Sequence, residues 1–259
     1  MSAKEHRSHI DLSFLSGPRS RWRELRSVLH ILQQFIYGFR KLHFVGPCVT
    51  FFGSARFAED HPYYEAARRL ARRVGRVGFT VMTGGGPGVM EAANRGARDV
   101  GARSVGCNIV LPMEQYANPY LDVSLTFDHF FVRKVLLLKY SVCFVVMPGG
   151  AGTVDEFFEV VTLIQTGKVK NFPIILYGRE YWAPTLAQLE LMYAQGTIGR
   201  EELRFVHVVD SVEEATTTLQ DLLVRMWQER RKDPVPQWWF MEDRLHIREK
   251  RKAPGVTEP

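Results

Sequence analysis

Along most of this chain, short runs of consecutive apolar residues alternate with longer segments in which apolar positions recur every three or four residues. The first rhythm predicts strands buried on both faces, and the second predicts amphipathic helices. RWRELRSVLHILQQFIYGF (21–39) has helical spacing but stands ahead of the alternation, so it predicts an N-terminal helix outside the core pattern. CVTFFGSAR then predicts a strand closing in Gly53 and Ser54, and YYEAARRLARRVGRVG (63–78) predicts the helix that follows. FTVMTGGGPGVMEAANRGARDVG repeats the scheme, with Pro87 expected in the first helical turn, where its missing N–H costs nothing. Further strands are read in SVGCNIVLP and VCFVVMPGG, with a helix near FFVRKVLLLKYSV between them. Helix GTVDEFFEVVTLIQTG, strand PIILYG, helix YWAPTLAQLELMYAQG, strand RFVHVVD and helix SVEEATTTLQDLLVRMWQERRK complete the series.

Strands alternating with helices of this length require a parallel sheet covered on both faces, because each crossover helix must pack back onto it. The expectation is an α/β, doubly wound, Rossmann-like sheet forming a single domain over residues 45–232. Residues 1–44 form an N-terminal extension with its helix, and residues 233–259 a basic tail that starts at the proline-containing DPVPQWWF. Ligands of such sheets bind beyond the carboxyl ends of the strands. The glycine turns at Gly53, at Gly84 to Gly88 and at Gly149 to Gly152 all fall there, so they are expected to line one crevice.

A strand-to-helix turn without side chains lets an anion reach backbone N–H groups, and the helix dipole adds favourable potential. Phosphate is the natural guest. Neither GGGPGV nor GGAGTV fits the dinucleotide pattern GxGxxG, and Gly167-Lys168 is followed by Val169, so there is no P-loop either. The plainer reading of these glycines is that they serve tight turns alone. The carboxylates after the last turn also have two readings. Thr153 and Glu156 have the T-x-x-E spacing of a capping box, which would explain both without chemistry. Asp155 and Glu156 would nevertheless repel a bound phosphate unless each had a task, such as engaging ribose hydroxyls or stabilising an oxocarbenium-like centre.

The formal charge of +6 suggests nucleic acid until its location is considered. RLHIREKRK (244–252) holds five basic residues and one Glu, so most of the excess lies in a tail whose plainer reading is a solvated end. Nucleic acid is therefore not expected as a partner. Cys48, Cys107 and Cys143 are far apart with no CxxC pair, which reads as buried thiols and not as a disulfide framework or zinc site. The histidines, including His6 and His9, form no HExxH or metal-spaced cluster, so no metal is expected. The polar start of the chain and the lack of a bilayer-length apolar run lead to an expectation of a cytoplasmic protein without membrane contact.

PGGAGTVDE (148–156) matches the PGGxGTxxE motif of the LONELY GUY family, cytokinin riboside 5′-monophosphate phosphoribohydrolases formerly labelled lysine decarboxylases. GGGPGVMEAANRGA (84–97) and the Arg133-Lys134 pair match as well, and the resemblance runs in order from Cys48 to Asp210. The ends outside it resemble the extended bacterial branch. The resemblance implies hydrolysis of the N-glycosidic bond of a cytokinin or adenine ribonucleoside 5′-monophosphate such as AMP, giving free base and ribose 5-phosphate with no cofactor. It implies catalytic roles for Arg133 and Glu156 and phosphate binding by Gly149, Gly150, Gly152 and Thr153. Ser54, Gly85, Gly86, Glu91 and Lys134 fall at further substrate-binding positions. It also implies at least a homodimer, with the site near the interface.

Charge separation in such a cleavage asks for a carboxylate near the ribose and a cationic donor nearby. At a helix N-terminus Glu156 is expected to stay ionised, which favours a stabiliser, base or nucleophile over a general acid. The donor of a proton to the leaving base is not identified by the sequence. A decarboxylase would need a pyridoxal-phosphate Schiff-base lysine with its ring partners, and Lys134 gives no support for one. Two alternatives remain: a nucleosidase of broader specificity, with the base selected by loops such as EQYANPYLD (114–122), and a nucleotide or molybdenum-cofactor carrier of the same fold.

Overall fold

The computed structural model describes residues 14–111 and 116–229. The expected tail, with Trp238, Trp239 and RLHIREKRK, lies outside the described residues, as do His6 and His9 and residues 112–115 of the proposed base-selecting loop. Seven strands form one sheet: β1 (Cys48–Phe52), β2 (Thr80–Thr83), β3 (Ser104–Ile109), β4 (Val123–Phe127), β5 (Ser141–Val146), β6 (Ile174–Tyr177) and β7 (Val206–Val209). Their order is β4-β3-β2-β1-β5-β6-β7, and every pairing is parallel. The chain builds outward from β1 to β4 and then returns to add β5 on the other side of β1. The direction of winding therefore reverses between β1 and β5, and a crevice opens there at the carboxyl ends.

The helices are α1 (Arg21–Leu42), α2 (Pro62–Arg76), α3 (Val89–Arg98), α4 (Phe130–Tyr140), α5 (Ala151–Gln165), α6 (Arg179–Ala194), α7 (Arg200–Leu203) and α8 (Val212–Glu229). They divide between two cores. Val49, Phe51, Val81 and Val145 point from the sheet into one core with α2, α3 and α8, while Phe52, Met82, Phe144 and Val146 point into the other with α1, α4, α5 and α6. Alternate residues of each inner strand thus serve opposite faces, which is why β1, β2, β5 and β6 are buried at every position. Truncating a side chain such as Phe51 to alanine would cost roughly 3–5 kcal/mol.

Three local expectations are corrected. VSLTF forms β4, which the apolar runs do not disclose because this edge strand alternates exposed and buried positions and follows β3 without an intervening helix among the described residues. Pro87 precedes the helix and does not sit in its first turn: Gly88, at φ 68°, is the N-cap of α3, and the Val89 N–H donates to the Ser54 carbonyl at 3.0 Å. The capping box is absent. Gly150 is the N-cap of α5, so Thr153 is already its third helical residue and Glu156 its sixth. The N-terminal helix α1 lies against α4 and β4, with Gly38 giving space to Leu136 and His30 Nε2 2.9 Å from Asp128 Oδ2.

Candidate functional site

The three glycine turns meet at the switch point. The Ser54 N–H donates to the Pro148 carbonyl at 2.9 Å, and the Ser54 carbonyl accepts from Val89, so the turn after β1 is bonded to those after β5 and β2. Gly149 is buried, and a Cβ there would stand 2.8 Å from the Ser54 nitrogen and against the Thr153 hydroxyl. This position must be glycine for the turns to close. Gly150 and Gly152 differ. Neither has a positive φ, and open space surrounds the place where a Cβ would stand. The fold itself does not require glycine at either, so the tight-turn reading covers Gly149 and fails for its neighbours. Both lie at the start of α5, where the N–H groups of Ala151 and Gly152 precede the first bond of the helix, that of the Thr153 N–H to the Gly150 carbonyl at 2.9 Å.

A buried ion pair faces these turns. Arg133, on α4, donates from Nε to the Cys107 carbonyl at 2.7 Å and places Nη1 3.7 Å from Glu156 Oε1. Its other terminal nitrogen presses on Gly84, where a Cβ would occupy the guanidinium's place. Glu156 is 5% exposed. Burial pushes its carboxyl up to about 7, and the charges of Arg133 and Lys134 oppose that rise without cancelling it. The expected ionised helix-terminal carboxylate is therefore corrected. Glu156 lies in the second turn, beyond the strongest reach of the helix dipole, and desolvation prevails.

Asp155 has a partner outside the crevice. Lys134 Nζ lies 3.0 Å from both Asp155 and Glu159. Burial alone would lower the lysine's pKa, but hydrogen bonds to these two carboxylates carry it above its ordinary value. A Schiff-base lysine needs the opposite shift. Glu91 lies in the first turn of α3 and accepts a hydrogen bond from Tyr64 at 3.1 Å. Gly85 and Gly86 are buried within the second turn. Ser54, Gly149 and Thr153 thus meet where the turns join and Arg133 links Gly84 to Glu156, whereas Glu91 is held by Tyr64 and the Lys134 ammonium turns to Asp155 and Glu159 on the outer face of α5. A groove of about 600 Å³ runs along that outer face between Ala151 and Leu163, with Asp155 and Glu159 in its wall; it is one helix face away from Glu156.

Sequence reasoning missed the residues that hold the crevice in shape. Asn118 donates from its backbone to the Gly85 carbonyl at 2.9 Å and from its side chain to the Gly86 carbonyl at 3.0 Å. Its amide also bonds Asn94, which accepts from Thr83 at 2.6 Å, so β2, α3 and the segment before β4 are tied together. The Tyr181 hydroxyl donates to the Gly149 carbonyl at 2.7 Å. No local motif flags Asn94, Asn118 or Tyr181, because each acts across the fold. The three cysteines are free and buried, as expected, and burial raises the Cys107 thiol to about 12. Among the described residues no group of His, Cys, Asp and Glu is placed to hold a metal, and no helix is long and apolar enough to cross a membrane.

Comparison with known proteins places this architecture. The family model described as possible lysine decarboxylase matches residues 90–219, half of the chain. The cytokinin riboside 5′-monophosphate phosphoribohydrolase LOG of Oryza sativa subsp. japonica is 26% identical over 187 residues, covering 71% of this chain and 76% of that protein. The cytokinin riboside 5′-monophosphate phosphoribohydrolase of Rhodococcoides fascians is 28% identical over 179 residues, covering 66% of this chain and 88% of that protein. Among solved structures, the molybdenum cofactor carrier protein of Chlamydomonas reinhardtii aligns with a TM-score of 0.50 at 22% identity, over 69% of this chain and 99% of the other. The molybdenum cofactor binding protein of Rippkaea orientalis gives 0.53 at 19%, over 69% and 98%. At these identities the two structures speak for the fold alone. Together with the seven-stranded sheet and its glycine turns, the family match assigns the chain: it belongs to the possible lysine decarboxylase family, that of the LONELY GUY proteins.

Proposed function

We propose that the protein hydrolyses the N-glycosidic bond of purine ribonucleoside 5′-monophosphates, of the cytokinin or adenine type, to free base and ribose 5-phosphate. The observation that carries this reading is the Arg133–Glu156 pair, a buried carboxyl titrating near neutrality beside a fixed guanidinium and facing the glycine turns. The naming of the Oryza and Rhodococcoides relatives as phosphoribohydrolases supports it.

In this reading the phosphate lies on the N–H groups at the start of α5, where Gly150 and Gly152 leave room and the helix dipole favours an anion. As the bond to the base lengthens, positive charge develops on the ribose and negative charge on the base. The ionised form of Glu156 stabilises the ribose cation or accepts a proton from the attacking water, whose oxygen bonds to the anomeric carbon; the departing base takes up one proton. Arg133 holds the carboxylate in place and keeps part of it ionised against the burial that would neutralise it. Ser54, Gly85, Gly86 and Glu91 border the ribose and base in this account. Lys134 acts by engaging Asp155, which removes one negative charge from competition with the phosphate. The same account has the chain working as a homodimer in the cytoplasm.

A carrier of the same fold would bind through the glycine turns but would have no use for a carboxyl poised near pH 7 inside them. Incubation with a panel of nucleoside monophosphates, with chromatography for free base and ribose 5-phosphate, separates the readings. Release of both products from a purine monophosphate is expected. Tight nucleotide binding with no product would favour the carrier, and equal release from all bases would favour the broader nucleosidase.

A further inference from the structure

The α3 side of the crevice carries a second carboxylate with a chain of donors behind it. Glu91 Oε1 accepts the Tyr64 hydroxyl at 3.1 Å, and Tyr64, 2% exposed on α2, accepts in turn from Arg95, one helical turn after Glu91. A guanidinium can only donate and a phenol has one proton, so the chain runs in one direction, from Arg95 through Tyr64 to Glu91. Burial, with the charges of Glu91 and Glu59, pushes the phenol up to about 12 against the hydrogen bond from Arg95, so Tyr64 stays a donor at neutral pH. Arg95 is itself pinned from two sides. Its Nη1 donates to Glu59 at 2.6 Å, and its guanidinium carbon lies 5.3 Å from the centre of the Tyr120 ring, two residues beyond the Asn118 that grips Gly85 and Gly86.

Helix packing does not require this chain. Gly96 brings α3 directly onto the Arg68 carbonyl of α2, Ala67, Ala71, Ala92 and Ala93 are buried in the same core, and Arg68 holds Asp99 through Nε at 2.7 Å and Nη2 at 3.0 Å. The buried Tyr64–Glu91 bond therefore adds orientation where fastening is already supplied. Among the described residues no hydrogen bond reaches Glu91 Oε2, which leaves an acceptor for another donor. Gly88, the N-cap of α3, abuts the Ser54 carbonyl, and the Ser54 N–H bonds Pro148, so only the width of Ser54 separates the start of α3 from the turn that leads into α5. With phosphate on the start of α5, the group within that reach is the ribose, whose hydroxyls are the donors a carboxylate accepts. We propose that Tyr64 is a positioning residue that holds Glu91 against the ribose hydroxyls of a bound ribonucleoside 5′-monophosphate, and that the pair selects ribose over 2′-deoxyribose; this rests on the substrate class proposed above. Arg95, gripped by Glu59 and Tyr120, keeps the Tyr64 hydroxyl aimed at the carboxylate.

The test is binding of AMP, 2′-deoxy-AMP and IMP to the full-length protein by calorimetry, which reads the ribose contact without turnover. The wild-type protein is expected to bind AMP roughly tenfold or more tighter than 2′-deoxy-AMP, because a hydrogen bond to a charged acceptor is lost with the hydroxyl. Glu91→Ala is expected to abolish that preference by weakening AMP alone. Tyr64→Phe, which keeps the ring in the core, is expected to lower the preference severalfold, and to leave AMP affinity unchanged once Glu91 is alanine. A tyrosine that served only the fold would weaken both nucleotides in either background. Arg95→Met, at a side chain 25% exposed, loosens Tyr64 from outside the core and is expected to act in the same direction, so the role is read even where Tyr64→Phe does not fold. Equal wild-type affinity for AMP and 2′-deoxy-AMP, or an unchanged preference in Glu91→Ala, would overturn the ribose contact. An unchanged preference in folded Tyr64→Phe and Arg95→Met would overturn the positioning role. A loss confined to discrimination between AMP and IMP would assign Glu91 to the exocyclic amine of the base instead. A wild-type protein that shows the expected preference and releases no base would fail the hydrolase reading and leave the ribose contact standing.

Discussion

Arg133 reaches Glu156 only because Gly84 has no side chain. The guanidinium is fastened by Nε to the Cys107 carbonyl, presses on Gly84 and lies 3.7 Å from the carboxylate, so three elements from different parts of the chain define one ion pair. Gly84→Ala is expected to displace Arg133 while leaving the sheet intact, since Gly84 has no positive φ to preserve. Nucleosidase activity should fall by roughly tenfold or more, corresponding to at least about 1.4 kcal/mol in barrier. Full activity in Gly84→Ala would separate the pair from the chemistry.

Gly152 tests whether the turn before α5 serves a ligand or only the fold. It is helical with open space at the Cβ position, so Gly152→Ala should fold and gain roughly 0.5–1 kcal/mol of stability from its better helix propensity. If phosphate rests on this turn, the new methyl group intrudes on it, and KM for monophosphates should rise severalfold with kcat less affected. Thermal melting and steady-state kinetics together check this. Unchanged KM would remove the phosphate from the turn.

Phosphate recognition also predicts a preference within the substrate. AMP should be cleaved and adenosine hardly at all, because the start of α5 supplies N–H donors and a dipole for which the riboside has no anion. Equal kcat/KM for the two, measured by release of adenine, would contradict the assignment.

The pH dependence of stability follows from Glu156. Its carboxyl is raised from an ordinary 4.5 to about 7 by burial, so the folded protein binds more protons than the unfolded chain between those values. The associated stability is present in full below pH 4.5 and is lost as pH rises through 7, a difference of about 3 kcal/mol. Glu156→Gln lacks this titration. Relative to the variant, the wild-type protein should lose thermal stability between pH 5 and 8, and at pH 8 the variant should be the more stable of the two. Parallel melting curves across that range would show that Glu156 is not carrying a buried charge. Activity should move in the opposite sense, with kcat/KM rising through pH 7 as the carboxylate forms.

Much of the architecture is legible in the chain because double burial leaves predominantly apolar runs such as CVTFF and SVCFVV, and because glycines mark the carboxyl ends of β1, β2 and β5. VSLTF escapes that reading, since an edge strand buries only alternate residues. The T-x-x-E spacing at Thr153 misleads for a different reason: helix start sites depend on where the preceding strand ends, and Gly150, not Thr153, is the residue left at the boundary. Nor does position in a helix disclose the titration of Glu156, which is set by burial and by the charged side chains that α4 and α5 bring around it. Asn94, Asn118 and Tyr181 are illegible for the same reason, each bonding across distant segments.

Whether Glu156 works on the substrate or serves only the fold is decided by single-turnover and steady-state measurements on Glu156→Gln. The amide conserves shape and removes the charge, and without a capping box to preserve, the variant should fold at least as well as the wild type above pH 7. The account predicts that AMP binding is retained or tightened, because a negative charge near the phosphate is gone, while kcat falls by roughly a hundredfold or more. A folded Glu156→Gln protein releasing adenine from AMP at the wild-type rate would contradict the mechanism.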